Sequence, residues 1–153
     1  MTDLVIRPAE AADLPAIVPL LAADPISGQR DDPSLPLDPG YARAFTAIAA
    51  RPDCHLMVAA DGDEIVGVFQ LTFVPGLIRK GACRAYVEGV FVRADRRSQG
   101  VGARMIAWAA DAARARGDCP FLQLTSNKDR LDAHRFYERL GFQRTSEGFK
   151  LLL

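Results

Sequence analysis

The stretch "RRSQGVG" (96–102) lies between a hydrophobic run, "AYVEGVFV" (85–92), and a helical pattern, "VGARMIAWAADAARARG" (101–117). A strand, a basic glycine turn and a helix in that order make a natural seat for phosphate. Glycines let backbone N–H groups approach oxygen without a Cβ in the way. The helix N-terminus adds free N–H donors and the positive end of its dipole. Arg93, Arg96, Arg97 and Arg104 flank the turn, with one acid, Asp95, near them in sequence. Taken alone, the seven residues read equally well as an ordinary strand-to-helix turn.

Two familiar glycine loops do not fit. No G-x-x-x-x-G-K-[ST] string exists in the chain. A G-x-G-x-x-G fingerprint fails because Met105 stands where the third glycine should follow Gly100 and Gly102, and the loop follows a hairpin meander rather than a first strand. What remains is Arg97-x-x-Gly100-x-Gly102.

Working outward, "LVIR" (4–7) predicts a first strand. Asp13 is placed to cap a helix with Pro15 in its first turn, and Leu14, Ile17, Val18 and Leu21 recur at helical spacing, with a kink expected at Pro19. Residues 24–38 are rich in Pro, Asp, Ser and Gly and predict a long loop of the kind that forms lids or binding rims. A second helix is expected over 39–51. "CHLMVAA" (54–60) and "IVGVFQLTFV" (65–74), joined by "DGDE" (61–64), predict a hairpin. A turn at 76–82 leads to a strand over 83–92, so strands two to four form an antiparallel meander. The helix after the glycine turn carries Val101, Met105, Trp108, Ala109 and Ala112 on one face and stops at Gly117. "CPFLQLTS" (119–126) then returns as a fifth strand parallel to the fourth through a right-handed crossover. A last helix lies within 129–141, and "FQRT" (142–145) with "FKLLL" (149–153) predicts a final hairpin or pair of edge strands. The fold class is mixed α/β in one domain, 1–153: a twisted, mostly antiparallel sheet of about six or seven strands with a parallel β4-α-β5 step and helices on both faces.

Composition narrows the function classes. Among 153 residues, 49% are hydrophobic and 25% charged, and Lys+Arg balances Asp+Glu at 19 each. No global field recruits nucleic acid or an anionic membrane, so any basic site is local. Cys54, Cys83 and Cys119 stand far apart with no C-x-x-C pair, and His55 and His134 have no neighbour at metal-ligand spacing, so no metal and no disulfide frame is expected. The N-terminus shows no leader-like apolar region, and no run approaches the ~18 apolar residues of a membrane helix. A cytoplasmic location is the expectation.

"AHRFYERLGF" (133–142), taken with "RRSQGVG" and "YVEGVFV" (86–92), resembles the GNAT superfamily of N-acetyltransferases. The resemblance follows the order of elements along nearly the whole chain and is most specific from Tyr86 to Phe142. It implies that the phosphate is the pyrophosphate of acetyl-CoA, the co-substrate, and that a primary amine attacks the thioester directly, without a covalent enzyme intermediate. It implies further that the fourth and fifth strands splay, with the cofactor along Val90, Phe91 and Val92, over Arg97, Ser98, Gln99, Gly100, Val101, Gly102 and Ala103, and against Ala133 and Phe136. The Val90 N–H is the implied donor to the thioester oxygen. Glu88 is the implied general base, through water, and Tyr137 the implied acid for the leaving thiolate; on its own, Tyr137 reads as a core residue on an apolar helical face. Gly89 suggests a bulge or a close ligand approach.

Three positions depart from the family pattern. Where relatives often carry Asn seven residues before the tyrosine, this chain has Arg130, and Asn127 lies three residues earlier; both are candidate cofactor contacts. Ala94 replaces a common proline and Ser98 a frequent glycine. The acceptor is open. Asp24, Asp31, Asp32 and Asp38 in the long loop suggest an acidic rim for a cationic small-molecule amine. The alternative is a non-catalytic acyl-CoA-binding or regulatory module of the same fold. Neutral charge argues against nucleic acid, and exposed strand edges leave room for a homodimer.

Overall fold

The computed structural model describes residues 3–153. It divides into two compact units, one running through Gln123 and the other from Leu124 to Leu153.

The first unit is a five-stranded sheet in the order β1-β2-β3-β4-β5: β1 (Leu4–Pro8), β2 (Cys54–Asp61), β3 (Glu64–Val74), β4 (Arg84–Val92) and β5 (Leu122–Gln123). The first three pairings are antiparallel and β4–β5 is parallel, through Ala85↔Leu122 and Tyr86↔Gln123. Helices α1 (Leu14–Ala22), α2 (Pro39–Ala49) and α4 (Val101–Arg116) accompany the sheet, and α3 (Ile78–Gly81) is one tight turn whose Arg79 and Lys80 sit at φ 58° and 60°.

Alternation along β2 and β3 sets the layers. Val58, Ala60 and Val68 point to Ile17 and Leu20 of α1 in a closed apolar cluster. Their neighbours Ala59 and Gly67 point the other way, to Met105 of α4, and Phe69 meets Trp108 edge-on at 5.9 Å. Since successive strand residues face opposite sides, α1 and α4 cover opposite faces. Phe69, Leu71, Val58, Val87 and Met105 are fully buried. Each carries the ~1.5–3 kcal/mol of a buried large apolar side chain.

Helix α1 runs on past Pro19. Asp13 stands at its N-cap position, but its carboxylate turns away from the helix. It accepts from both Arg7 Nη atoms, at 2.7 and 3.0 Å, and from the Glu10 N–H at 2.8 Å, tying β1 to the start of α1.

The second unit holds α5 (Leu131–Arg139), and Gly141 follows it at φ 94°. No residue after Arg139 takes strand form, so the sheet has five strands rather than six or seven, and the expected strands at 142–145 and 149–153 are absent. The expected fifth strand over 119–126 shrinks to two residues. Apolar, strand-prone sequence becomes a strand only when a neighbour supplies a ladder. Phe149, Leu151 and Leu152 are instead at least 85% exposed.

Candidate active site

The glycine turn leaves β4 through a one-turn 3-10 helix, Ala94–Arg96, and enters α4 behind Gly100. Ser98 lies at φ 59° and Gly100 at φ 82°. Glycine takes the left-handed region without strain, while Ser98 occupies it at a cost. A Cβ built on Gly100 meets nothing within 4 Å. Among the described residues, no side-chain cap hydrogen bond closes the start of α4, which leaves its first N–H groups without a capping side chain.

The flanking arginines are not the basic cluster that the local sequence suggests. The β2–β3 turn brings acids from far along the chain. Arg96 pairs with Asp61 at 2.5 Å and Glu64 at 3.2 Å, and Arg93 pairs with Glu64 at 3.1 Å and Asp95 at 2.7 Å. Arg104 donates to the Leu4 carbonyl at 2.6 Å, which fixes α4 to β1. Three of the four therefore hold the turn in place. Arg97 is exposed, and its Nε donates to the Val92 carbonyl at 3.2 Å. Gln99 donates to the Asp95 carbonyl at 2.9 Å, so it braces the loop on its exposed side. Val101 is buried, while Gly102 and Ala103 are half-buried in the first turn of α4.

Before the turn, β4 contains a bulge. Gln70 faces Glu88 and Val68 faces Phe91, so Gly89 and Val90 share the single partner position of Phe69. Gly89 sits at φ 61°, the geometry of a glycine-led bulge. The expected irregularity is therefore present. On the other edge, β5 pairs with β4 only as far as Tyr86. Among the described residues, no strand pairs with Val87–Val92 on that side. Val90, Phe91 and Val92 are half-buried along this stretch. Glu88 is exposed, and Gln70 Nε2 donates to its Oε1 at 3.3 Å. Sequence reading missed Gln70, because the cross-strand register is not visible until the bulge is placed.

In the second unit, Tyr137 packs edge-on against Phe142 at 5.6 Å and beside Phe136 at 5.1 Å. Burial pushes its phenol above the ordinary value, and the Arg130 charge pulls it the other way. Asn127 is spent locally: its Oδ1 accepts the Asp129 N–H at 2.9 Å and its carbonyl meets His134 Nε2 at 2.9 Å. His134 is thus a clasp between the 127–130 turn and α5. Ala133 and Phe136 are half-buried on the same helix.

The expected acidic rim divides into local tasks. Asp24 is buried and accepts from the Ile26 and Ser27 N–H groups and the Ser27 hydroxyl. Asp38 caps α2 through Gly40 N–H at 2.7 Å, Asp31 accepts the Tyr41 hydroxyl at 2.9 Å, and Asp32 accepts the Ser34 N–H. His55 meets Phe73 edge-on at 5.8 Å, a packing role. Burial, with Cys83 beside it, pushes the Cys119 thiol up to about 11, the wrong direction for a nucleophile.

An antiparallel meander, one parallel step and an uncapped helix behind a glycine turn define a mixed α/β frame. The sequence profile of the Acetyltransferase (GNAT) family matches residues 21–142, and the chain belongs to that family. The aminoalkylphosphonate N-acetyltransferase of Salmonella typhimurium is 30% identical over 101 residues, covering 66% of this chain and 64% of that protein, so the match spans less than two thirds of the relative's length. A crystal structure described as a transcriptional regulator from Bacillus halodurans C-125 is 41% identical, with TM-score 0.95 over 99% of this chain and 100% of that one. An acetyltransferase of Trypanosoma brucei is 25% identical, with TM-score 0.79 over 99% of this chain and 100% of that one. Among the described residues, no helix is long and apolar enough to cross a membrane.

Proposed function

We propose that residues 1–153 act as one acetyl-CoA-dependent N-acetyltransferase domain whose acceptor is a small-molecule primary amine. The observation that carries this reading is the path along β4. Its edge lies open beyond the Tyr86–Gln123 pair and runs into the uncapped start of α4, where Arg97 is exposed. Backbone N–H groups at Gly100–Ala103 and the Arg97 guanidinium suit a pyrophosphate. The open Val90–Val92 backbone suits the amide-bearing arm of the cofactor, laid down as an added strand.

Each residue then has a task. Val90 N–H donates to the thioester oxygen as negative charge develops on it. Glu88 takes the proton of the incoming ammonium through water, with Gln70 orienting its carboxylate. The new C–N bond forms as the C–S bond breaks, the nitrogen releases its second proton to solvent, and Tyr137 supplies a proton to the departing sulfur. Burial raises the phenol's pKa further above that of a thiol, so the transfer depends on holding the hydroxyl close to the sulfur. Positioning does most of the work, a contribution of ~7–11 kcal/mol in well-oriented reactions. Arg130 and Asn127 both remain candidates for a cofactor contact. The exposed apolar segment Phe149–Leu152 supports a homodimer that covers it.

A second reading is favoured by one finding: the relative at 41% identity is described as a transcriptional regulator. A regulatory module would bind acetyl-CoA without turning it over. Calorimetric titration with acetyl-CoA, with NAD and ATP as controls, comes first. Thiol release with a panel of amines, aminoalkylphosphonates included, comes second. Selective binding with amine-dependent thiol release is the expected result. Binding without release of thiol would favour the regulator, and no binding would end both readings.

A further inference from the structure

We propose that Cys83, Asp118 and Cys119 form a binding site for a zinc-type divalent cation that clips the start of β4 to the segment leading into β5. The sequence expectation of no metal rested on spacing, since the two cysteines lie 36 positions apart and match no ligand motif. The parallel pairing cancels that separation. Cys83 ends the turn before β4, and Asp118–Cys119 precede β5. The Cys83 N–H donates to the Asp118 carbonyl at 3.0 Å, which locks the two segments side by side. As a result both Sγ atoms and an Asp118 carboxylate oxygen lie within 4.8 Å of one another.

The donor set is specific in kind. Two thiolates and one carboxylate select a borderline-soft ion over calcium or magnesium, which prefer all-oxygen shells. Tetrahedral zinc with Zn–S of ~2.3 Å sets its sulfurs about 3.8 Å apart, so small side-chain rotations complete the geometry. A fourth position stays open to water. Charge also balances: Arg116 Nε lies 2.9 Å from Asp118 Oδ1 and offsets the excess negative charge of three anionic ligands. Arg116 is itself held in place, by Asp53 at 3.2 Å and by the Phe73 ring at 4.7 Å. An ion has a way in, because Cys83 borders a 240 Å³ cleft with Arg84 and Phe121, and Asp118 is exposed. The site is independent of the acetyltransfer reading, since it sits at the opposite end of β4 from the glycine turn.

The test is titration of the reduced, metal-stripped protein with cobalt(II), reading the sulfur-to-cobalt charge-transfer absorption. Zinc(II) then displaces it in competition with a chromophoric chelator. We expect one equivalent bound, the band abolished in Cys119→Ser and Cys83→Ser, and the band intact in Cys54→Ser. Asp118→Asn is expected to weaken zinc by about tenfold or more, the scale of a lost metal-site partner. Cys119 is only half-buried, so its serine variant tests the site even if Cys83→Ser fails to fold. Absence of the band in the wild type, its persistence in Cys119→Ser, or a Cys83–Cys119 disulfide forming in preference to metal binding would overturn the proposal.

Discussion

Tyr137 holds its proton further into the alkaline range than a free phenol does. Burial raises its pKa, so the phenol keeps its proton through neutral pH and well into the alkaline range. A raised pKa adds stability that is complete below the unfolded value of ~10 and is lost as pH rises through the folded value. Tyr137→Phe is therefore expected to remove an alkaline loss of thermal stability that the wild type shows. If Tyr137 is the proton donor, the same change lowers turnover by about a hundredfold, with acetyl-CoA affinity intact in calorimetry. Unchanged turnover would leave it a packing residue. Asp13 behaves in the opposite sense. The bonds from Arg7 hold its carboxyl below the usual range, so the stability it contributes is present above pH ~4 and lost as pH falls through the folded value. Asp13→Asn is expected to flatten the acid limb of a melting-temperature profile, and an unaltered limb would contradict this. At this scale the sequence was legible at Gly89, where the expected bulge is present. It was silent where a partner came from afar: Arg96 looks free among its neighbours, and its acid, Asp61, lies 35 residues away.

The elements tell a similar story. The β2–β3 hairpin, the meander and α4 were legible because alternation, an Asp-Gly turn and a helical apolar face are all local signals. The last two strands were not, because strand-prone residues say nothing of whether an edge is available. Gly67 shows what the layer between β3 and α4 requires. A Cβ there would lie 2.7 Å from Met105 Sδ and 3.3 Å from both Ala59 Cβ and the Phe91 carbonyl, and Met105 is fully buried. Gly67→Ala is expected to destabilise the fold by about 1–3 kcal/mol in denaturant unfolding, the usual cost of overpacking. A neutral result would mean that Met105 has room to turn aside. At the glycine turn the constraint is backbone conformation rather than space. Gly100→Val forces a β-branched residue into φ 82°. Loss of acetyl-CoA binding with a melting temperature only slightly lowered is expected, and retained affinity would put the phosphates elsewhere.

For the molecule as a whole, fold and family were legible from two strings and the order of elements between them, while the acceptor was not. The acids of the long loop cap α2 and close turns while keeping their charge, so they do not by themselves choose the acceptor. The exposed Phe149, Leu151 and Leu152 predict self-association. Sedimentation of the full chain as a dimer, and of a chain ending at Gly148 as a monomer, is the expected pair of results. A monomeric full chain would rule out the homodimer.

The unpaired edge of β4 has a consequence in time as well as in space. Amides of Val87–Val92 that point toward β3 are locked in a ladder, while those on the other side depend on solvent. Deuterium should enter this short stretch in two phases, fast at alternate positions and slow between them. An occupant laid along the edge would merge the two phases into one, so the strand carries its own clock for the arrival of its ligand.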